Sequence, residues 1–159
     1  RTAPSESEVN WLIRDQGLAF VTSQTAPGTL HGYLDDVRMS FFEFRYPLLQ
    51  PLVYWDEMGC NLASLDDLAC MKLAAIAQRG SRKDFVDIHA LLTKYRPLAD
   101  FLALYQEKFG VQDISPVLYG LAYFEVAQAE PAPQMLWKIS WSQIKKDISQ
   151  WVKDYATKQ

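Results

Sequence analysis

The chain has 159 residues, 49% of them hydrophobic and 22% charged, a composition that supports one soluble globular core. Net charge is −3 and the pI near 5.3, so no global electrostatic attraction to nucleic acid exists and any phosphate-binding surface must be a local basic cluster. Two cysteines, Cys60 and Cys70, make neither a disulfide framework nor a metal spacing, no apolar run reaches membrane-span length, and no signal-peptide core opens the chain; reduced thiols in a cytoplasmic protein are expected.

Ser5-Glu6-Ser7-Glu8 has the form of a capping box and predicts a short helix over 5–16, stopped by Gly17. Leu18 to Ser23 reads as a strand. After Pro27-Gly28, residues 29–34 and 37–46 read as two further strands joined around Asp35-Asp36. In the second, Val37, Met39 and Phe41 alternate with polar residues, and the apolar phase then passes to Phe42, Phe44 and Tyr46. A bulge near Phe41-Phe42 is expected from that shift of face. Pro47 and Pro51 end the run.

From Ser64 onward the hydrophobic period is helical. Ser64 caps a helix with Asp66 and Asp67 in its first turn and Gly80 just past its end. Ser81 caps a second helix running to about Tyr95, and Pro97 stops it. Further helices are expected at 98–109, 116–128 and 141–156, the last opened by Ser140-Trp141-Ser142-Gln143, with Pro131 and Pro133 in the loop before it. The pattern is α+β: a small partial β-sheet (1–60) followed by a helical C-terminal half (61–159).

Within this frame one stretch stands out. Lys72 lies in an Ala/Leu-rich helix and shares a face with Arg79, seven residues on. The next helix, joined through only Gly80-Ser81, begins with Arg82, Lys83, Asp84 and Asp87. A desolvated ammonium needs a partner or a task. Either a salt-bridge knot sets the angle between the two helices, or Lys72 and Arg79 present charge to phosphate while Asp84 and Asp87 hold them in place or help to coordinate. On the residues alone the knot is the stronger reading.

Other candidates carry less. His31 and His89 lie on unrelated elements, and Ser40 and Ser81 lack a nucleophile-elbow context. Trp137, Trp141 and Trp151 are expected to pack in the core, with an exposed partner-binding patch as the alternative. Lys145, Lys146, Lys153 and Lys158 are expected on a solvated helix face.

The run LDDLACMKLAAIAQRGSRKDFVDIHALL, residues 65–92, closely resembles the signature of the nucleotidyl transferase AbiEii/AbiGii toxin family. VRMSFFEFRYPLL (37–49) and YFEVAQAEPAPQML (123–136) are similar to flanking segments of that family, so the likeness covers about 29–150. It implies a nucleotidyltransferase-like fold, NTP and Mg²⁺ as cofactors, an RNA acceptor such as tRNA, and a cognate antitoxin protein as partner. It also implies that Lys72 faces phosphate, with Arg79 and Lys83 beside it, and that Asp84 and Asp87 match the family's later catalytic acids.

The sequence departs from the family where a Gly-Ser turn should lead into an Asp-x-Asp metal pair. No such segment occurs in these 159 residues. Asp35 and Asp36 are adjacent rather than alternate, and Ser40 stands where the family's third metal acid would fall. The chain opens at Arg1 rather than Met. The expectation is therefore a catalytically incomplete piece without metal ligands of its own, the glycine turn and acids lying upstream or having been lost from a degenerate chain. The alternative is a non-catalytic module on the same fold that binds an antitoxin or nucleic acid.

Overall fold

The computed structural model describes residues 3–158, and the chain divides at Arg45/Tyr46 into two compact units. Its architecture is α+β, as the patterning requires.

The first unit opens with α1 (Glu6–Ile13). Its capping box forms as read: the Ser5 hydroxyl accepts from Glu8 N–H while the Glu8 carboxylate accepts from Ser5 N–H at 2.7 Å. A single 3₁₀ turn follows, and Gly17 ends it at φ 68°. Three antiparallel strands then form a meander, β1 (Phe20–Ala26), β2 (Thr29–Leu34) and β3 (Val37–Phe42). Both connections are two-residue turns, at Pro27-Gly28 and at Asp35-Asp36, and Asp35 adopts φ 49°, a conformation that aspartate tolerates better than most residues.

Gly32 is required by packing. A Cβ there would lie 2.3 Å from Cζ of Phe20, whose ring forms the small core with Val9 and Leu30. Asn10 fixes α1 to β1, accepting from Phe20 N–H and donating to Phe20 C=O at 2.9 and 3.0 Å.

Two expectations about the strands are corrected. β3 ends at Phe42 and pairs with β2 in unbroken register from Leu34–Val37 to Thr29–Phe42. The irregularity lies in β1, between Thr22 and Gln24. The apolar phase shift at Phe42 marks the end of the strand rather than a bulge, since Phe42 lies exposed.

In the second unit a two-stranded hairpin, β4 (Val53–Trp55) and β5 (Cys60–Leu62), precedes six helices. These are α2 (Leu65–Gln78), α3 (Arg82–Lys94), α4 (Leu98–Phe109), α5 (Ser115–Ala122), α6 (Glu125–Ala129) and α7 (Trp141–Ala156). The expected helix over 116–128 is two helices, because Tyr123 leaves the helical region at φ −108°, ψ 107°.

α2 is the hub, packing on α3, α4 and α5. Leu73, Ile76, Phe85, Ile88, Phe101, Leu121 and Ile148 form the centre of the core. Trp141 packs edge-on to Phe85 and Phe124, and Trp151 lies against His89. Trp137 packs partly buried at the core edge, with the Lys94 ammonium over its ring. Lys145 makes an exposed hydrogen bond to Gln128 Oε1, which also accepts from the Trp141 indole.

Candidate functional site

α2 carries the polar groups that organise its unit. At its N-terminus Asp66 and Asp67 sit in the first turn, where the dipole favours them. Both are also buried, and each grips a different segment. Asp66 binds Arg96, just beyond α3, through two hydrogen bonds of 2.8 and 3.2 Å. Asp67 binds Lys108 of α4 at 2.5 Å, and both side chains are fully buried.

The remaining acceptor positions of Asp67 are filled. Asp67 accepts from the Ser64 hydroxyl and from the backbone N–H groups of Leu49 and Gln50, and Lys108 donates to Pro47 C=O at 2.7 Å. Burial alone would raise the Asp67 carboxyl. The hydrogen bonds from Lys108, Ser64, Leu49 and Gln50 outweigh it and hold the group at about 2. Burial pushes the neighbouring Cys70 thiol up to about 12, which makes it a packing residue and not a nucleophile.

At the other end of α2 lies the cluster singled out in the sequence. Asp84, in the first turn of α3, is fully buried and accepts four hydrogen bonds. Arg79 grips it with Nε at 2.9 Å and Nη2 at 3.2 Å, Lys72 reaches Oδ1 at 3.2 Å, and the Ser81 hydroxyl donates to Oδ2 at 2.8 Å. Lys72 also contacts Asp87, one turn further along α3, at 2.5 Å. Ser81 occupies the N-cap position of α3, but its hydroxyl serves Asp84 rather than a backbone N–H. Lys83 is exposed and joins Arg79, Ser81, Glu130, Pro131 and Pro133 around a shallow depression.

The electrostatics follow from this geometry. Burial would raise Asp84, yet Arg79, Ser81 and Lys72 together hold it below the usual carboxylate range. Burial would lower Lys72, and its bonds to Asp87 and then Asp84 raise it instead. Both cations therefore stay charged while half-held, with 28% of the Lys72 side chain and 58% of the Arg79 side chain open to solvent.

Of the five residues named from sequence, Lys72 lies on α2, Arg79 at its C-cap, and Lys83, Asp84 and Asp87 on α3. Lys72, Arg79, Asp84 and Asp87 share one hydrogen-bonded network, and Lys83 stands at its edge. The pair His89–Asp147 at 2.9 Å, which ties α3 to α7, was not anticipated, nor was Asp67–Lys108. In the first unit His31 hydrogen-bonds Ser40 across the strands at 2.7 Å.

A family model for the AbiEii toxin, a nucleotidyl transferase of Type IV toxin–antitoxin systems, matches residues 6–156. The chain belongs to this AbiEii family. It is 35% identical over 150 residues to an uncharacterized protein of Aquifex aeolicus, an alignment that covers 94% of this chain and 66% of that relative. No solved structure matches it. The small sheet and helical half fit the nucleotidyltransferase-like fold of the AbiEii family.

An AbiEii nucleotidyl transferase implies a nucleotide and a divalent metal, and the donor sets here can be tested against both. Among the described residues no group of three or more His, Cys, Asp or Glu side chains converges on a metal site. Both oxygens of Asp84 are already taken by cations and Ser81, and Asp87 is bound by Lys72. These two acids do not fit Mg²⁺. The half-open cations Lys72 and Arg79, with Lys83 beside them, do fit phosphate oxygens.

Among the described residues no helix is long and apolar enough to cross a membrane.

Proposed function

We propose that the protein carrying these residues is a nucleotidyltransferase toxin that transfers a nucleotidyl group from an NTP to an RNA acceptor, tRNA included, in the cytoplasm. An acceptor hydroxyl oxygen forms a bond to the α-phosphorus, the bond from that phosphorus to the bridging oxygen breaks, pyrophosphate leaves, and the hydroxyl proton passes to solvent. The observation that carries the reading is that the AbiEii match runs through the helix pair on which Lys72, Arg79 and Asp84 form one network.

In this reading Lys72 and Arg79 neutralise triphosphate charge as it shifts toward the leaving group, and Lys83 extends the cationic surface. Asp84 and Asp87 are positioning residues. Asp84 is fully buried and aims both cations, and the more exposed Asp87 keeps Lys72 extended. Mg²⁺ would supply further neutralisation of phosphate charge. Asp84 and Asp87 are not its ligands. A cognate antitoxin is the expected protein partner.

The test uses the full-length protein, NTPs labelled at the α-phosphate, and total tRNA. Label should enter RNA with the native protein and not with Lys72→Met, which should remain folded. A second reading, a non-catalytic module that binds an antitoxin or nucleic acid through the Lys72, Arg79 and Lys83 surface, is favoured by the shallow depression that Arg79 and Lys83 line. It predicts no labelled RNA from either protein.

A further inference from the structure

Tyr119 of α5 and Tyr123, the residue just past its end, are exposed aromatic rings. Tyr119 and Tyr123 are stacked, with centroids 5.8 Å apart and planes 13° from parallel, and Tyr119 is 70% exposed.

The pair borders a crevice formed where α5 meets the C-terminal turn of α2. Gly120 makes that approach possible: a Cβ there would sit 3.0 Å from Ile76 O and 3.1 Å from Ala77 Cα. The crevice is lined by Ile76, Gln78, Tyr119, Tyr123, Val126 and Arg79. Arg79 also lines the depression that holds Lys83. An exposed aromatic pair therefore lies beside the Arg79 guanidinium, which adjoins a second cation.

We propose that this surface is a platform for single-stranded RNA, in which a base stacks on the Tyr119–Tyr123 pair while flanking phosphates meet Arg79 and Lys83. Stacked aromatics beside spaced cations are what an unpaired strand recognises, because every base offers a π-face and every linkage a charge. The openness of the surface suits a strand passing over it better than an enclosed mononucleotide. Two acids lie nearby: Glu125 accepts from the Tyr123 hydroxyl at 2.7 Å, and Glu130 accepts from Arg82 N–H at 2.7 Å. They limit the net positive charge, so stacking carries the larger share of affinity and the salt dependence is shallow, a log–log slope of about −1.4 for two phosphates.

The proposal rests on the nucleotidyltransferase reading for its choice of RNA, but its test needs no catalysis. Fluorescence anisotropy would follow a labelled single-stranded oligoribonucleotide of about 12 nucleotides binding to the full-length protein without NTP. The exposed substitution Tyr119→Ala should weaken binding about tenfold or more, Tyr119→Phe should retain it, and a duplex of the same sequence should bind more weakly than the single strand. NTP binding, measured separately, should not change with Tyr119→Ala.

Equal affinity of native protein and Tyr119→Ala for the single strand would overturn the proposal and leave the stacked pair as a protein-docking surface. Absence of RNA binding by the native protein, equal binding of duplex, or a loss confined to NTP would overturn it too. Tyr119-dependent RNA binding without any nucleotidyl transfer would instead refute the enzymatic reading alone.

Discussion

Asp84→Asn changes shape least and charge most, and so isolates what the buried carboxylate does. Asp84 has no solvent exposure and accepts four hydrogen bonds, three of them from cationic groups. Removing one partner of a buried ion pair costs about 3–5 kcal/mol. Arg79 is more than half exposed and Lys72 partly so, and both regain water once released, which places the expected loss near the lower bound, about 3 kcal/mol.

The loss should depend on pH with a definite sign. The folded-state pKa of Asp84 is depressed, so its contribution is complete above the unfolded value of about 3.9 and disappears as pH falls through the lower folded value. Urea unfolding of both proteins, followed by helical signal over a pH series, should show the full difference at neutral pH and convergence in acid. A neutral-pH difference below about 0.5 kcal/mol, typical of an exposed pair, would refute the claim that Asp84 anchors the helix corner.

Lys72→Met should cost only about 1 kcal/mol in the same assay, because Asp84 keeps Arg79 and Ser81 and Asp87, 45% exposed, turns to water. Lys108→Met should cost about 3 kcal/mol or more, since it strips the cation from fully buried Asp67. The native stability that depends on Asp67 should persist above about pH 4 and be lost as pH falls toward its folded value of about 2, a window that acid titration monitored by circular dichroism would reveal. Gly120→Ala should destabilise by about 1–3 kcal/mol despite the better helix propensity of alanine, because the new methyl meets the backbone of α2, and thermal melts would detect the change.

Local signals in the sequence were reliable where one turn of chain settles the matter. The Ser5–Glu8 box, the Asp35-Asp36 turn and the caps of α2 and α7 all form at the residues that announce them. The Lys72–Asp84 network was also legible, because Gly80-Ser81 is too short to keep the two helix ends apart. Asp67–Lys108 was not, since the partners are 41 residues apart and neither residue's local pattern distinguishes it from a solvated one. The capped helix start at Ser64-x-x-Asp67 explained Asp67 fully on its own.

The β4–β5 hairpin was missed for a related reason. Its strands are three residues each and exposed, so no alternation of burial marks them, although Val53-Tyr54-Trp55 before the turn at Gly59 was a usable signal. The break between α5 and α6 falls at Tyr123-Phe124, residues that interrupt no hydrophobic period. There Phe124 packs on Phe85 and Trp141.

The most direct test of the account is incorporation of α-phosphate label into RNA by the full-length protein and by its Lys72→Met variant, with each variant's stability measured in parallel. The account predicts transfer by the native protein and none by a Lys72→Met protein that is still folded. Undiminished transfer by Lys72→Met, or no transfer by the native protein with any of the NTPs, would contradict it.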